Sequence, residues 1–367
     1  MKLLQFCLSP DYGGLELYFR DFARWLETSG VSVYLGLRTG SPLDRDLPDV
    51  GASRIEFPDR TSILPLLSAR RLARFVDQHK VDIIHVHWKY DLALVALAKK
   101  FARRRIRVVH SRHMDMPGSK RDPYHRFIYG SVDLFHAVTR AVARQAEDNL
   151  SMPAERIVVI HPGALPDFDG GDPSVDGRED CADRPFTVGV IGRVSAYKAQ
   201  HLLIEALATL HHEGCHVQGQ IIGAPETDEY TADLAARAAD GGIGKRVRIE
   251  SFCRDVPGAM RDLDALVLTT IKETFGMILV EGMLAGLPVI GSNAGGVPEI
   301  IDDGETGLLF EPGSAASLAA ALRTLYHDRA LAQRLARAGQ AKAREQFNQE
   351  RQFECLLDAL RCVIKEP

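Results

Sequence analysis

The chain has 367 residues, 46% of them hydrophobic and 26% charged, with a formal net charge of −4. This is the balance of an ordinary globular protein and excludes a disordered or collagenous chain; a single core seldom grows past about 250–300 residues, so two domains are expected. No apolar run reaches the roughly 18 residues of a transmembrane helix, and the six cysteines contain no Cys-x-x-Cys pair, which argues against a zinc ribbon or disulfide scaffold and for reduced thiols.

The opening apolar stretch stops at Pro10-Asp11 and lacks a small-residue cleavage site, so it reads as a first strand, 3–8, of a cytoplasmic protein. Asp11-Tyr12-Gly13-Gly14-Leu15-Glu16 follows. Two glycines between a strand and a helix allow close approach of backbone to a ligand, and a helix N-terminus favours phosphate. A plain tight turn accounts for the same residues. A helix over 15–29, a strand over 31–37 and a helix over 66–79 come next. Strands at 83–86, 108–110, 134–138 and 157–160 complete the first half. Residues 1–166 carry 25 Lys+Arg against 18 Asp+Glu, a surplus of +7, whereas 167–367 carry 20 against 31, or −11. Arg70, Arg71 and Arg74 form one basic cluster; Lys99, Lys100, Arg103, Arg104, Arg105 and Arg107 form another. Such clusters suit an anionic partner, a phosphorylated substrate or a membrane surface, and equally suit a solvated helix face. No nucleic-acid signature accompanies them.

Around 166–185 the composition turns to Asp, Gly and Pro with no periodicity, the mark of a linker. Beyond it, strands at 187–191, 218–222, 246–250, 265–268 and 288–291 alternate with helices such as 200–213 and 231–241. Alternating strands and helices imply parallel sheets built from βαβ units. Two such sheets in tandem would bind ligand beyond the carboxyl ends of their strands, in the cleft between them.

Neither half has Gly-x-Gly-x-x-Gly after its first strand, and no Walker sequence is present, which disfavours dehydrogenases and P-loop enzymes. Instead, an apolar strand ends in Gly192-Arg193, with Lys198 five residues on. A guanidinium fork and a mobile ammonium at one strand end suit a diphosphate; two surface cations are the plain alternative. Glu273-Thr-Phe275-Gly276-Met277-Ile278-Leu-Val-Glu281 sets two carboxylates eight apart across a loop-to-helix junction, with Glu281 expected about two turns inside the helix. Paired carboxylates also suit glycoside hydrolysis. Asp-x-Asp triplets at Asp44/Asp46, Asp167/Asp169 and Asp262/Asp264 are expected by chance among 49 acidic residues. His85 and His87 alternate onto one strand face without an evident third metal ligand, so strand-end packing or cleft lining is preferred.

Taken in order, these segments closely resemble the retaining glycosyltransferases of family 4. The carriers are Gly192-Arg193-x4-Lys198, Glu273-x-Phe275-Gly276-x4-Glu281-Gly282-Met283 and Gly295-Gly296-Val297-Pro298-Glu299. Gly304-x-x-Gly307, Gly13-Gly14-Leu15-Glu16, His85-Val-His87 and Ser111-Arg-His113 extend the match over nearly the whole chain. The resemblance implies the GT-B fold, two doubly wound Rossmann-like domains facing a central cleft. Residues 1–166 would form the acceptor-side domain, completed by a C-terminal helix at 349–367; 167–185 would be the linker and 186–348 the donor domain. It also implies roles. Arg193 and Lys198 would bind and stabilise the departing diphosphate, Glu273 the hydroxyls of the transferred sugar, and Glu281 the ribose. Phe275, Gly276, Met277 and Ile278 would present backbone to phosphates and sugar. Gly13 and Gly14 would face the diphosphate, His113 the reacting sugar, and Arg254 the base. Arg193, Lys198, Glu273 and His113 would form the catalytic set, with no metal and no cofactor.

The implied reaction moves a hexose-type sugar from a nucleotide-diphospho-sugar, foremost a UDP-sugar, to a glycan or lipid-linked acceptor. The basic first half suggests a phosphate-bearing lipid-linked glycan, as in lipopolysaccharide-core or related envelope synthesis on the inner membrane face, with a soluble acceptor or a small metabolite left open. The alternatives are a nucleotide-sugar epimerase or sugar phosphorylase on the same fold, and a non-catalytic nucleotide-sugar-binding protein. Three departures stand out. Ala199 replaces the family's glycine after the lysine and should alter that turn, Thr269-Thr270 replace the usual Pro-Ser, and His110 adds a basic feature near the acceptor.

Overall fold

The computed structural model describes residues 1–51, 53–58, 65–168, 170, 184–251, 253 and 255–365. Arg254 and most of the interdomain stretch (169 and 171–183) lie outside the described residues. The chain divides into two compact units, residues 1–162 with 350–367, and residues 163–349.

The first unit holds a seven-stranded sheet made of β1 (Lys2–Cys7), β2 (Ser32–Arg38), β3 (Arg54–Phe57), β4 (Ile83–Val86), β5 (Arg107–Arg112), β6 (Leu134–Ala137) and β7 (Ile157–Val159). Every pairing is parallel, in the order β3-β2-β1-β4-β5-β6-β7. The second unit holds β8 (Phe186–Ile191), β9 (Val217–Ile222), β10 (Val247–Glu250), β11 (Ala265–Leu268), β12 (Val289–Ser292) and β13 (Leu308–Phe310), also all parallel, in the order β10-β9-β8-β11-β12-β13. In both sheets the strand order reverses beside the first strand, at β1/β4 and at β8/β11. A crevice opens at such a reversal, just beyond the carboxyl ends of the strands.

Burial explains the strand composition. Helices cover both faces of a parallel sheet, so its central strands are apolar on both faces; Leu3, Leu4 and Phe6 of β1 are fully buried, and all of β8 is buried. The edge strands β3 and β13 did not register as sequence patterns. They have four and three residues, and β3 alternates charged with apolar side chains, Arg54-Ile55-Glu56-Phe57, in place of an apolar run.

The helix Gly14–Thr28 turns Tyr18, Phe19, Phe22, Ala23 and Leu26 inward, the spacing of one helical face. At its start Glu16 Oε2 accepts from the Gly13 amide at 2.8 Å, half of a capping box. The last helix, Gln349–Lys365, belongs to the first unit. Its buried Phe353 meets the rings of Tyr18, Phe22 and Trp25 at 5.4, 5.0 and 5.7 Å. Among the described residues, no helix is long and apolar enough to cross a membrane. Truncating a buried phenylalanine leaves a cavity, so Phe353→Ala should destabilise the first unit by about 3–5 kcal/mol. Both tryptophans, Trp25 and Trp88, lie in that unit. Urea unfolding followed by their fluorescence measures the loss directly.

Candidate active site

In the second unit the motif residues gather at the strand-order reversal. β8 leads into Gly192 (φ +142) and Arg193. Arg193 is exposed, and its guanidinium has no hydrogen bond or ion pair among the described residues. The following turn is held from below. The Gln200 side chain donates to the Arg193 carbonyl at 2.8 Å and accepts from the Ser195 amide at 3.3 Å, while the Thr269 hydroxyl donates to the Lys198 carbonyl at 2.6 Å. Ala199 takes the left-handed conformation that a glycine would take there, φ 53 and ψ 38. Ala199 accepts this conformation at a cost on the order of 1 kcal/mol. Thr269, which looked like a mild departure, is a structural part of this loop.

Lys198 Nζ donates to Glu273 Oε2 at 2.6 Å, closing the loop after β8 against the loop after β11. A glycine positions Glu273. Gly295 sits at φ +62, and a Cβ on it would lie 1.9 Å from the Glu273 carbonyl oxygen. The next amide, of Gly296, donates to that same oxygen at 3.0 Å. Gly276, at φ +105, starts the helix Met277–Leu284; its carbonyl accepts from the Leu279 amide at 2.9 Å, and the Met277 and Ile278 amides before it have no intrahelical partner. Phe275 is buried against Phe347, with ring centroids 5.7 Å apart, so it offers the site backbone only. Met277 and Ile278 are half-buried at the helix start.

Glu281 lies little more than one turn into that helix, not two, because the helix begins only after Gly276. Burial pushes its carboxyl up to about 7. A raised acid stabilises the folded protein below its unfolded-state value, and this contribution is lost as pH rises through about 7. Glu281→Gln should therefore gain about 2 kcal/mol on the wild type between pH 5 and pH 8, by denaturant unfolding at each pH. A pH-independent difference would count against a buried, weakly acidic Glu281.

In the first unit, Gly14 is exposed at the start of its helix and a Cβ there would meet nothing within 4 Å. Gly13 is the extended residue before it. His113 follows β5. Its loop is fixed by the buried Arg112 guanidinium, which donates to the carbonyls of Met114, at 2.7 Å, and Asp115. Arg112 stood in the sequence motif, but nothing there pointed to this bracing role. His110 corrects its expectation. It is fully buried, its Nδ1 donates to the Val86 carbonyl at 3.0 Å, and burial lowers it to about 3. It is therefore a neutral core residue.

Three of the triplet carboxylates, Asp44, Asp46 and Asp264, have structural partners, and Asp169 lies outside the described residues. Asp264 accepts from the Thr187 amide at 2.7 Å and pairs with Arg184; Asp44 accepts from the Gly40 amide at 2.9 Å; Asp46 bonds Tyr12 and Arg20. Among the described residues, no group of three His, Cys, Asp or Glu is arranged to hold a metal.

Two family models share the chain end to end. Glycosyltransferase Family 4 matches residues 12–168, and Glycosyl transferases group 1 matches residues 177–342. The chain is a family 4 glycosyltransferase. D-inositol 3-phosphate glycosyltransferase 1 of Catenulispora acidiphila is 26% identical over 97% of this chain and 92% of its own. Among solved structures, Anabaena HepE in complex with UDP superposes with a TM-score of 0.84 at 26% identity, covering 99% of this chain and 100% of that one. A glycosyltransferase of Rickettsia africae gives 0.88 at 22% identity, over 100% and 99%. The two doubly wound units are thus those of a GT-B glycosyltransferase.

Proposed function

We propose that this glycosyltransferase takes a nucleotide-diphospho-sugar as donor, without a metal, and transfers the sugar with retention of configuration. The observation that carries the reading is the cationic strand end. Arg193 stands unpaired among the described residues, beside a Lys198 that only Glu273 neutralises. A diphosphate arriving there can take the Lys198 ammonium and free Glu273 for sugar hydroxyls. As the glycosidic bond breaks, charge grows on the departing diphosphate and the sugar gains oxocarbenium character. Fixed cations aimed at that charge favour the transition state over the ground state. Retention follows if the departing phosphate takes the proton of the incoming acceptor hydroxyl on the same face, so no protein nucleophile is required. Glu281 is assigned the ribose, and the Met277 and Ile278 amides the phosphates. From the first unit, Gly13 and Gly14 are assigned the diphosphate and His113 the sugar.

A UDP-hexose is the favoured donor, supported by the UDP complex of Anabaena HepE. For the acceptor we infer a phosphate-bearing molecule. The relatives named D-inositol 3-phosphate glycosyltransferase support phosphate, and so does the +7 surplus over residues 1–166. A lipid-linked envelope glycan, as in lipopolysaccharide core synthesis, would add docking on the inner membrane face. The helix Leu66–His79 offers Arg70, Arg71 and Arg74, with Leu67 80% exposed at its start. The second basic cluster is weaker than its sequence suggests. Lys99 and Arg107 pair with Asp133, and Arg104 pairs with Asp82.

Thermal shift with UDP, GDP, ADP and CDP in the absence of metal tests the donor. A selective shift for UDP is expected, about 2.7 kcal/mol of stabilisation at a hundredfold excess over Kd, and a clear reduction in Lys198→Ala. An equal shift in that variant would remove Lys198 from the site. Cosedimentation with phosphatidylglycerol vesicles tests the docking. Binding at low salt that is lost at high salt is expected, and no binding at low salt would leave a soluble phosphorylated acceptor.

A further inference from the structure

One face of the first sheet changes character along its strands. Toward their amino ends it is apolar, with Leu3, Ile83, Val109 and Leu134 in the core. Two residues further on, the same face carries Gln5, His85, Ser111 and His136, and after these His87 and His113. The first four are fully buried, and His87 is 1% exposed. A row of polar side chains in a core is tolerated only if its members satisfy one another, and these do. His136 Nε2 lies 2.8 Å from the Ile160 carbonyl oxygen, and His136 Nδ1 lies 2.6 Å from Ser111 Oγ. Ser111 Oγ is 2.6 Å from His85 Nε2, and His85 Nδ1 is 3.0 Å from Gln5 Nε2. Gln5 Oε1 is 2.7 Å from His87 Nε2, and His87 Nδ1 is 3.2 Å from His113 Nε2.

The carbonyl at the closed end sets the direction of every bond. A carbonyl only accepts, so His136 Nε2 must carry a hydrogen. A neutral imidazole has one donor and one acceptor, and burial holds all four rings below the ordinary histidine value. His136 Nδ1 is then bare and accepts the Ser111 hydroxyl hydrogen. Ser111 Oγ accepts from His85 Nε2–H, and His85 Nδ1 accepts from the Gln5 amide. Gln5 Oε1 accepts from His87 Nε2–H, and His87 Nδ1 accepts from His113 Nε2–H. Reversing the chain would set a ring lone pair against the Ile160 carbonyl. At the open end, the half-buried His113 ring stacks on His87, 5.4 Å apart at 13°, and packs on Tyr18 at 4.8 Å, so it cannot turn freely.

We propose that this chain, anchored on the Ile160 carbonyl, holds His113 as the neutral Nε2–H tautomer with Nδ1 bare. His113 then serves the sugar site as a hydrogen-bond acceptor for a hydroxyl, and not as an acid. Ser111 and His136 are positioning residues that act through it. The sugar-site part rests on the placement of His113 proposed above; the tautomer part stands on the chain alone.

Imidazole nitrogen NMR of the full chain labelled with [15N]histidine, at pH 7, tests the proposal. Signals are assigned by their loss in single His→Gln variants. The expected result is a protonated Nε2 and an unprotonated Nδ1 at His85, His87, His113 and His136. An Nδ1–H tautomer, a mixture or an imidazolium at His113 in the wild type overturns it. In Ser111→Ala the anchor is cut, so His113 should become a mixture of tautomers, and Ser111→Thr should restore the single form. A His113 unchanged in a folded Ser111→Ala protein overturns the positioning role. A UDP thermal shift on the same wild-type sample separates the two readings. A lost shift with the expected tautomers defeats only the donor site, and a retained shift with Nδ1–H His113 defeats only the chain.

Discussion

Parallel pairing of β8 with β11 is the constraint on which the donor-side residues depend. Ala265 registers with Val188 and Leu266 with Gly189, so both strands end at the same level. Their loops then meet, although they are 75 positions apart in sequence, and Lys198 reaches Glu273. The long crossovers that parallel strands require supply the helices covering each face. The first unit repeats the arrangement at β1 and β4, where the Gly13-Gly14 turn and the segment after His85 lie at one sheet end. A change in strand order would leave each motif intact along the chain and scatter the site.

Around that constraint the molecule accepts local costs at the residues proposed for the donor. Ala199 is held left-handed, Gly276 and Gly295 adopt positive φ, and desolvation raises the pKa of the half-buried Glu281. Such departures from best stability concentrate at functional sites. Packing elsewhere sustains them. The loops carrying the charges are tied down at their backbone by Gln200, Thr269 and the Gly296 amide, so their main chain is in place before the proposed diphosphate arrives. Such preorganisation is what makes fixed charges effective in catalysis.

The histidine-rich face of the first sheet follows the same logic by hydrogen bonding instead of charge. Six polar side chains from four neighbouring strands and the loops that follow them replace the apolar residues expected under the helices Gly14–Thr28 and Gln349–Lys365. Because every ring is neutral and paired, the face avoids the cost of burying a charge. It also couples a backbone carbonyl just past the edge strand β7 to a side chain just past the end of the interior strand β5.

The residue pattern by itself determined a good deal. Apolar runs separated by amphipathic stretches dictate parallel βαβ units, because each segment must bury a face of its own period. The motif glycines and charges then single out Gly13, Arg193, Lys198, Glu273 and Glu281. The tertiary structure alone decided how these residues are used. Periodicity reports what one segment buries, not which segment lies beside it, so neither the Lys198–Glu273 pair nor the contact of Gly295 with Glu273 was legible. The left-handed backbone of Ala199 was not legible either, because it depends on the Gln200 and Thr269 bonds around it. The raised pKa of Glu281 was not legible because it is set by burial. His85 and His87 read as packing, since the partners that give them a direction, Gln5, Ser111 and His136, come from three other strands. Hydrogen bonding and desolvation depend on distances in three dimensions, which strand order sets and local sequence does not.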